Sequence, residues 1–128
     1  MTSSICATLL VVDDEFPTLD TLAEVLRWDG HTVHTAADGR QALEVLASTS
    51  VDLVLLDVMM PILDGLETLR ELRARPELAA LPVILMTAAP NGVPHDAPPH
   101  DALLVKPFTA ATLRTVLAHS LALRRSTP

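Results

Sequence analysis

The stretch that decides the fold is VDLVLLDVMMPILDGLE, residues 51–67. Val51 to Leu56 is a short, nearly continuous apolar run that closes on Asp57. Continuous apolarity over so few residues predicts a strand buried on both faces, with Asp57 at its tip. Pro61 interrupts the chain, and Asp64-Gly65 falls in or just after a loop. Leu66, Leu69 and Leu72 then recur at helical spacing. Glu71 and Arg75 are placed as an i,i+4 pair on that helix.

The same alternation extends in both directions. Ala7 to Val12 is a first apolar run, closed by Asp13-Asp14-Glu15. Leu19, Leu22, Ala23 and Leu26 follow at helical spacing, with Pro17 near the entry and Gly30 past the exit. Trp28, near the end of that helix, reads as edge packing rather than a binding anchor. His31 to Thr35 predicts a short strand. Asp38 can cap a second helix, with Gln41 three residues on and Ala42, Val45 and Leu46 facing inward. Val83–Thr87 and Ala102–Val105 predict two more strands. Thr109 can cap a last helix carrying Leu113, Val116, Leu117 and Leu121, with Arg124-Arg125 as its solvated end, favoured by the helix dipole.

Short buried strands alternating with amphipathic helices predict βαβ units and a parallel sheet. The exception is residues 88–101. Pro90, Pro94, Pro98 and Pro99 remove backbone donors and restrict their predecessors. An irregular loop is predicted there, with room for one turn of helix, where the alternation calls for a fourth helix.

The 128 residues fit one domain over 1–128, with an ordered core over about 5–124. Hydrophobic residues make up 49%, enough for a sizeable core. Nine Lys+Arg against sixteen Asp+Glu give a net charge of −7, which argues against a generic nucleic-acid surface. No apolar run approaches a membrane span of ~18 residues, and Met1 to Ser4 does not read as a secretory signal. A lone Cys6 excludes an intramolecular disulfide and fits a reducing, cytoplasmic setting.

Parallel strands end on one edge of an open sheet, and ligands bind beyond those ends. Asp13 and Asp14 follow the first strand. Asp57 ends the third, Thr87 the fourth, and Lys106 follows the fifth. If the first strand lies beside the third, these five residues converge. Clustered carboxylates repel, and a hard cation such as Mg²⁺ offsets their charge. A carboxylate can attack phosphorus to form an aspartyl phosphate, with metal and Lys stabilising the transferring group. Asp57 is best placed as nucleophile, Asp13 and Asp14 as metal ligands. A single Asp at a strand end is ordinarily a solvated loop residue; three Asp with a Thr and a Lys, all in register at strand ends, are not.

VVDDE at 11–15, residues 51–67, PVILMTA at 82–88 and KPF at 106–108 together resemble a receiver domain of two-component response regulators. The resemblance implies a (βα)₅ doubly wound fold, a parallel five-stranded sheet of order 2-1-3-4-5. Its fourth helix is here shortened or replaced by a proline-rich loop. It implies Mg²⁺-dependent phosphoryl transfer from a histidine kinase or phosphotransfer protein to Asp57. Asp13, Asp14, Asp57 and the backbone carbonyl of Met59 correspond to the metal ligands. Thr87 corresponds to the switch hydroxyl, and Lys106 to the family's lysine. Lys106-Pro107 matches a peptide bond that is usually cis in the family. No enzymatic turnover is implied beyond self-phosphorylation and slow loss of the phosphoryl group.

Two departures from the family pattern stand out. Receivers usually carry Tyr or Phe three residues before the lysine, and this chain has Leu103. The stretch from Thr87 to Lys106 is also shorter than usual and rich in proline. They motivate an alternative: a receiver-fold interaction module that works without phosphorylation. A third class, a hydrolase with an aspartyl-phosphate intermediate like haloacid-dehalogenase-type phosphatases, expects Asp-x-Asp at the first strand, whereas Asp13 and Asp14 are adjacent. The expected partners are the phosphodonor and a downstream protein the sequence does not identify. Neither direct nucleic-acid binding nor membrane insertion is expected, and a homodimer is left open. The chain ends soon after the last helix, so no output module is visible; it reads as a single-domain regulator or a receiver from a larger protein.

Overall fold

The computed structural model describes residues 6–60 and 62–125, with side chains through residue 122. Pro61, placed above at an interruption, and the side chains of Arg124 and Arg125, read as a solvated helix end, lie outside the described part. Among the described residues, five strands and four α-helices follow in the order β1 (Thr8–Val12), α1 (Phe16–Trp28), β2 (Thr32–Ala36), α2 (Gly39–Ser48), β3 (Leu53–Asp57), α3 (Gly65–Ala74), β4 (Val83–Thr87), β5 (Ala102–Val105) and α4 (Ala110–Arg125). The sheet is parallel, in the order β2-β1-β3-β4-β5. Between β4 and β5 the proline-rich segment forms one 3₁₀ turn, Pro90–Gly92, and no α-helix. The last helix, α4, is therefore the expected fifth.

Period-2 side-chain alternation splits the core into two layers. Leu9, Val11, Leu53, Leu55, Ile84 and Met86 meet α1 and α4 through Leu22, Leu26, Leu113 and Leu117. Leu10, Val12, Val54, Leu56, Val83 and Leu85 meet α2 and α3 through Leu43, Leu46, Leu69 and Leu72. All residues of β3 and β4 are buried, as central parallel strands require.

The predicted caps form. The Asp38 carboxylate accepts from Gln41 N–H at 2.9 Å, and Thr109 Oγ1 accepts from Thr112 N–H at 3.0 Å. Asp64 and Glu67 build a reciprocal capping box at the start of α3. Gly30 sits at φ +101° just past α1, a conformation open to glycine.

Three local expectations are corrected. β2 runs one residue later than His31–Thr35, because His31 Nδ1 accepts the Ala7 N–H at 3.1 Å and the ladder starts at Thr32. Glu71 and Arg75 are not among the ion pairs of the described residues: α3 ends at Ala74, and Arg75 turns away in an extended conformation (ψ 120°). Trp28, read as edge packing, is 89% exposed at the end of α1.

Candidate functional site

The register builds the site. Val12 pairs with Leu56, so Asp13, just past β1, and Asp57, the last residue of β3, stand side by side at the same height. Asp57 pairs with Met86 and Thr87 with Val105, which brings the ends of β4 and β5 to the same edge. The switch in direction between β1 and β3 leaves a crevice at that edge.

Asp13, Asp14 and Asp57 each offer a carboxylate oxygen, and these oxygens lie within 4.8 Å of one another. Asp13 and Asp57 are buried and Asp14 is exposed. Lys106 reaches in from the far side. Its Nζ donates to Asp13 Oδ2 at 2.9 Å and lies 3.3 Å from Asp57 Oδ1. The other Asp13 oxygen accepts the Glu15 N–H at 3.0 Å, which fixes the carboxylate at the entry to α1.

The electrostatics follow from that packing. Burial, aided by the charge of Asp13 and to a lesser degree Asp14, pushes the Asp57 carboxyl up to about 6 against the pull of Lys106. Burial draws the Lys106 ammonium down, but the Asp13 hydrogen bond and the charges of Asp57 and Asp13 outweigh it, leaving Lys106 above its ordinary value. A buried carboxylate this reluctant to ionise, with two more acids beside it, is a strong attractor for positive charge. All donors are hard oxygens, and that set fits Mg²⁺.

Thr87 is buried at the end of β4, and its hydroxyl oxygen accepts the Ala89 N–H at 3.0 Å. Its backbone carbonyl accepts the Lys106 N–H at 2.8 Å, tying the two residues together at the edge. The Lys106–Pro107 peptide is cis.

The pattern described as a response regulator receiver domain matches residues 9–118. The chain belongs to that family.

This receiver is 42% identical over 127 residues to response regulator MprA of Mycolicibacterium vanbaalenii, an alignment covering 94% of this chain and 52% of that one. The chain spans about half the length of the curated relatives it matches. Among solved structures it resembles chemotaxis response regulator CheY4 of Vibrio cholerae, with a TM-score of 0.84, 29% identity and coverage of 91% of this chain and 99% of that one. It also resembles the receiver domain of sensor histidine kinase PA1611 from Pseudomonas aeruginosa, which has a magnesium ion coordinated in its active site cleft. There the TM-score is 0.84, with 30% identity over 92% of this chain and 99% of that one.

Of the residues singled out from the sequence, the receiver brings together Asp13, Asp14, Asp57 and Lys106, with Thr87 on the same edge. Met59 lies in the loop after β3 and is 71% exposed, while Met60 leans on the second core layer. Leu103 is half-buried in β5 and packs on that layer too. Two contributors were not visible in the sequence. Gly65 starts α3 so close to β3 that a Cβ there would collide with the Asp57 carbonyl oxygen; only its place after Asp64 hinted at a tight approach. A cleft of about 620 Å³ also opens beside Lys106, between Pro17 and Thr18 of α1 and the Pro107-Phe108 turn.

Proposed function

We propose that this receiver accepts a phosphoryl group on Asp57 from the phosphohistidine of a histidine kinase or phosphotransfer protein. The observation that carries the proposal is the meeting of Asp57, Asp13, Asp14 and Lys106 at one sheet edge. Asp13, Asp14, Asp57 and the Met59 carbonyl would hold Mg²⁺, which when bound supplies charge neutralisation at the transferring group.

A carboxylate oxygen of Asp57 attacks phosphorus. The P–N bond breaks, and its electron pair returns to the imidazole. Lys106 exchanges part of its contact with the acidic pair for a phosphoryl oxygen, as a point charge. The Thr87 hydroxyl donates to another. The cleft beside Lys106 leaves room for the donor side chain to approach along α1. The product carries about −2 charge at Asp57, which alters the loops it touches and so the partner surface. The protein turns over no separate substrate; water slowly removes its own phosphoryl group. The proposal carries with it a cytoplasmic setting, where a kinase presents phosphohistidine, and an unidentified downstream protein.

Incubation with Mg²⁺ and acetyl phosphate, followed by intact-mass measurement, is expected to add one phosphoryl group to the wild type and none to Asp57→Asn. No adduct on the wild type sinks the proposal.

A second reading is a phosphorylation-independent interaction module. Leu103, where receivers usually carry an aromatic, and the missing helix between β4 and β5 favour it. Partner affinity that stays constant when beryllofluoride is bound supports that reading, and a clear change excludes it.

A further inference from the structure

The lead-in to β5 is held in an unusual way. In the other β–α–β units of the sheet a helix packs on the layer and delivers the next strand. Before β5 there is none, and most hydrogen bonds of residues 88–101 are short-range: Gly92 to Ala89, Val93 to Pro90, Ala97 to Pro94 and His100 to Pro98. Apart from Asp101, which bonds to Val83, such a segment has little of its own to fix the register of a four-residue edge strand.

Arg73, in the last turn of α3, reaches across to it. Its Nε donates to the Pro99 carbonyl at 2.8 Å, and its Nη2 lies 3.8 Å from Asp101 Oδ1. Its Nη1 lies 2.7, 3.1 and 3.3 Å from the carbonyl oxygens of Leu81, Ala79 and Leu78. Asp101 in turn exchanges two bonds with Val83: Oδ1 accepts the Val83 N–H, and the Asp101 N–H donates to the Val83 carbonyl, both at 2.8 Å. One planar guanidinium thus binds the lead-in of β4 on one side and that of β5 on the other. A rigid fork of donors can do this, and a single ammonium cannot. The carboxyl ends of the same two strands carry Thr87 and Lys106.

We propose that Arg73 is a positioning residue: by fastening the lead-ins of β4 and β5 together, it sets the register of β5 and so places Lys106 at the acidic cluster, the task a connecting helix performs elsewhere in this sheet. It touches neither the cluster nor any reacting group. Its consequence for phosphoryl transfer rests on the function proposed above, whereas its consequence for β5 does not.

The test uses the full chain as wild type, Arg73→Met and Arg73→Lys. Amide hydrogen exchange is read by NMR, and phosphorylation by acetyl phosphate with Mg²⁺ is read by intact mass. In Arg73→Met the Leu104 and Lys106 amides are expected to lose about tenfold or more in protection while Leu10 and Leu55 keep theirs. The phosphorylation rate should fall about tenfold, as a misplaced charged group commonly costs. The Mg²⁺ affinity should hold or tighten, since Lys106 then opposes the cation less; general loosening of the fold would weaken it. If Arg73→Met does not fold, Arg73→Lys decides, with the same pattern expected because one ammonium spans only one lead-in. Uniform loss of protection across all strands overturns the proposal, as do unchanged β5 amides. Faster β5 exchange with an unchanged rate overturns the link to Lys106. A wild type that accepts no phosphoryl group sinks the proposed function and leaves the exchange result to decide the clamp.

Discussion

Lys106 Nζ stands 2.9 Å from Asp13 Oδ2, across 93 positions of sequence, with the Asp13 side chain fully buried and the lysine 19% exposed. The same ammonium lies 3.3 Å from Asp57 Oδ1, so one cation separates two buried carboxylates that would otherwise face each other. Removing it leaves both without compensation. Lys106→Met is expected to lower stability by about 1–3 kcal/mol in a chelating buffer, below the full cost of a wholly buried pair because the lysine is partly solvated. Urea unfolding with and without Mg²⁺ checks this. Saturating Mg²⁺ should recover part of the loss, and a variant as stable as wild type without metal would contradict the account.

The raised Asp57 carboxyl has a defined pH signature. Its folded-state value of about 6 lies above the 3.8 of the free side chain. Between those values the folded state keeps a proton that the unfolded chain has given up. The contribution to stability is therefore largest below the unfolded value and is lost as pH rises through the folded one. Asp57→Asn lacks this loss. Without metal it is expected to exceed wild type by on the order of 1–3 kcal/mol at pH 7.5, with the gap nearly closed at pH 4. Denaturant melts of both proteins at the two pH values measure it, and an equal gap at both excludes Asp57 as the source.

Asp14 separates metal binding from folding. It is exposed, and Lys106 bonds to Asp13 and Asp57 rather than to it. Asp14→Asn should therefore leave metal-free stability within about 0.5 kcal/mol of wild type, as surface changes do. Its Mg²⁺ affinity should fall about tenfold or more, because a hard cation loses a charged oxygen ligand. Thermal shift against Mg²⁺ concentration reads both quantities, and an unchanged affinity would remove Asp14 from the ligand set.

Ser120 gives a prediction away from the site. Its hydroxyl is buried on α4 and is the buried side-chain polar atom lacking a hydrogen-bond partner among the described residues. Ser120→Ala removes that unmet group with little change in volume and is expected to stabilise by about 1 kcal/mol. A lower melting temperature would show that the hydroxyl is satisfied in solution.

Gly65 links the fold to the site. A Cβ at this position would meet the Asp57 carbonyl oxygen and the Val58 Cα. Gly65→Ala must push α3 away from the end of β3, at a cost of about 2 kcal/mol or more. It should also slow phosphorylation of Asp57. Wild-type stability in this variant, by urea unfolding, would mean that the α3 start yields freely.

Much of this architecture is written locally. The apolar run of residues 53–56, the helical spacing of Leu19, Leu22 and Leu26, and the caps at Asp38 and Thr109 each report on their own neighbourhood. Backbone propensity and burial period act over a few residues, so those elements are legible without the fold. The prolines at 90, 94, 98 and 99 forbid a regular helix by covalent geometry alone, and the segment holds only a 3₁₀ turn. Errors came where a local pattern needed a distant contact to decide it. Trp28 has the apolar bulk of a packing residue, but among the described residues no neighbouring element covers it. Glu71 and Arg75 have the right spacing, but Arg75 has left the helix.

The amino-acid sequence by itself determined the elements, their order along the chain, and the stock of carboxylates, hydroxyl and lysine available for chemistry. Only the tertiary structure decided that Lys106 sits between Asp13 and Asp57, that Asp57 resists ionisation, and that Arg73 bridges two strand lead-ins. The reason is range. Strand and helix formation answer to adjacent residues, while desolvation and Coulomb energies depend on distances that only the pairing of remote strands sets.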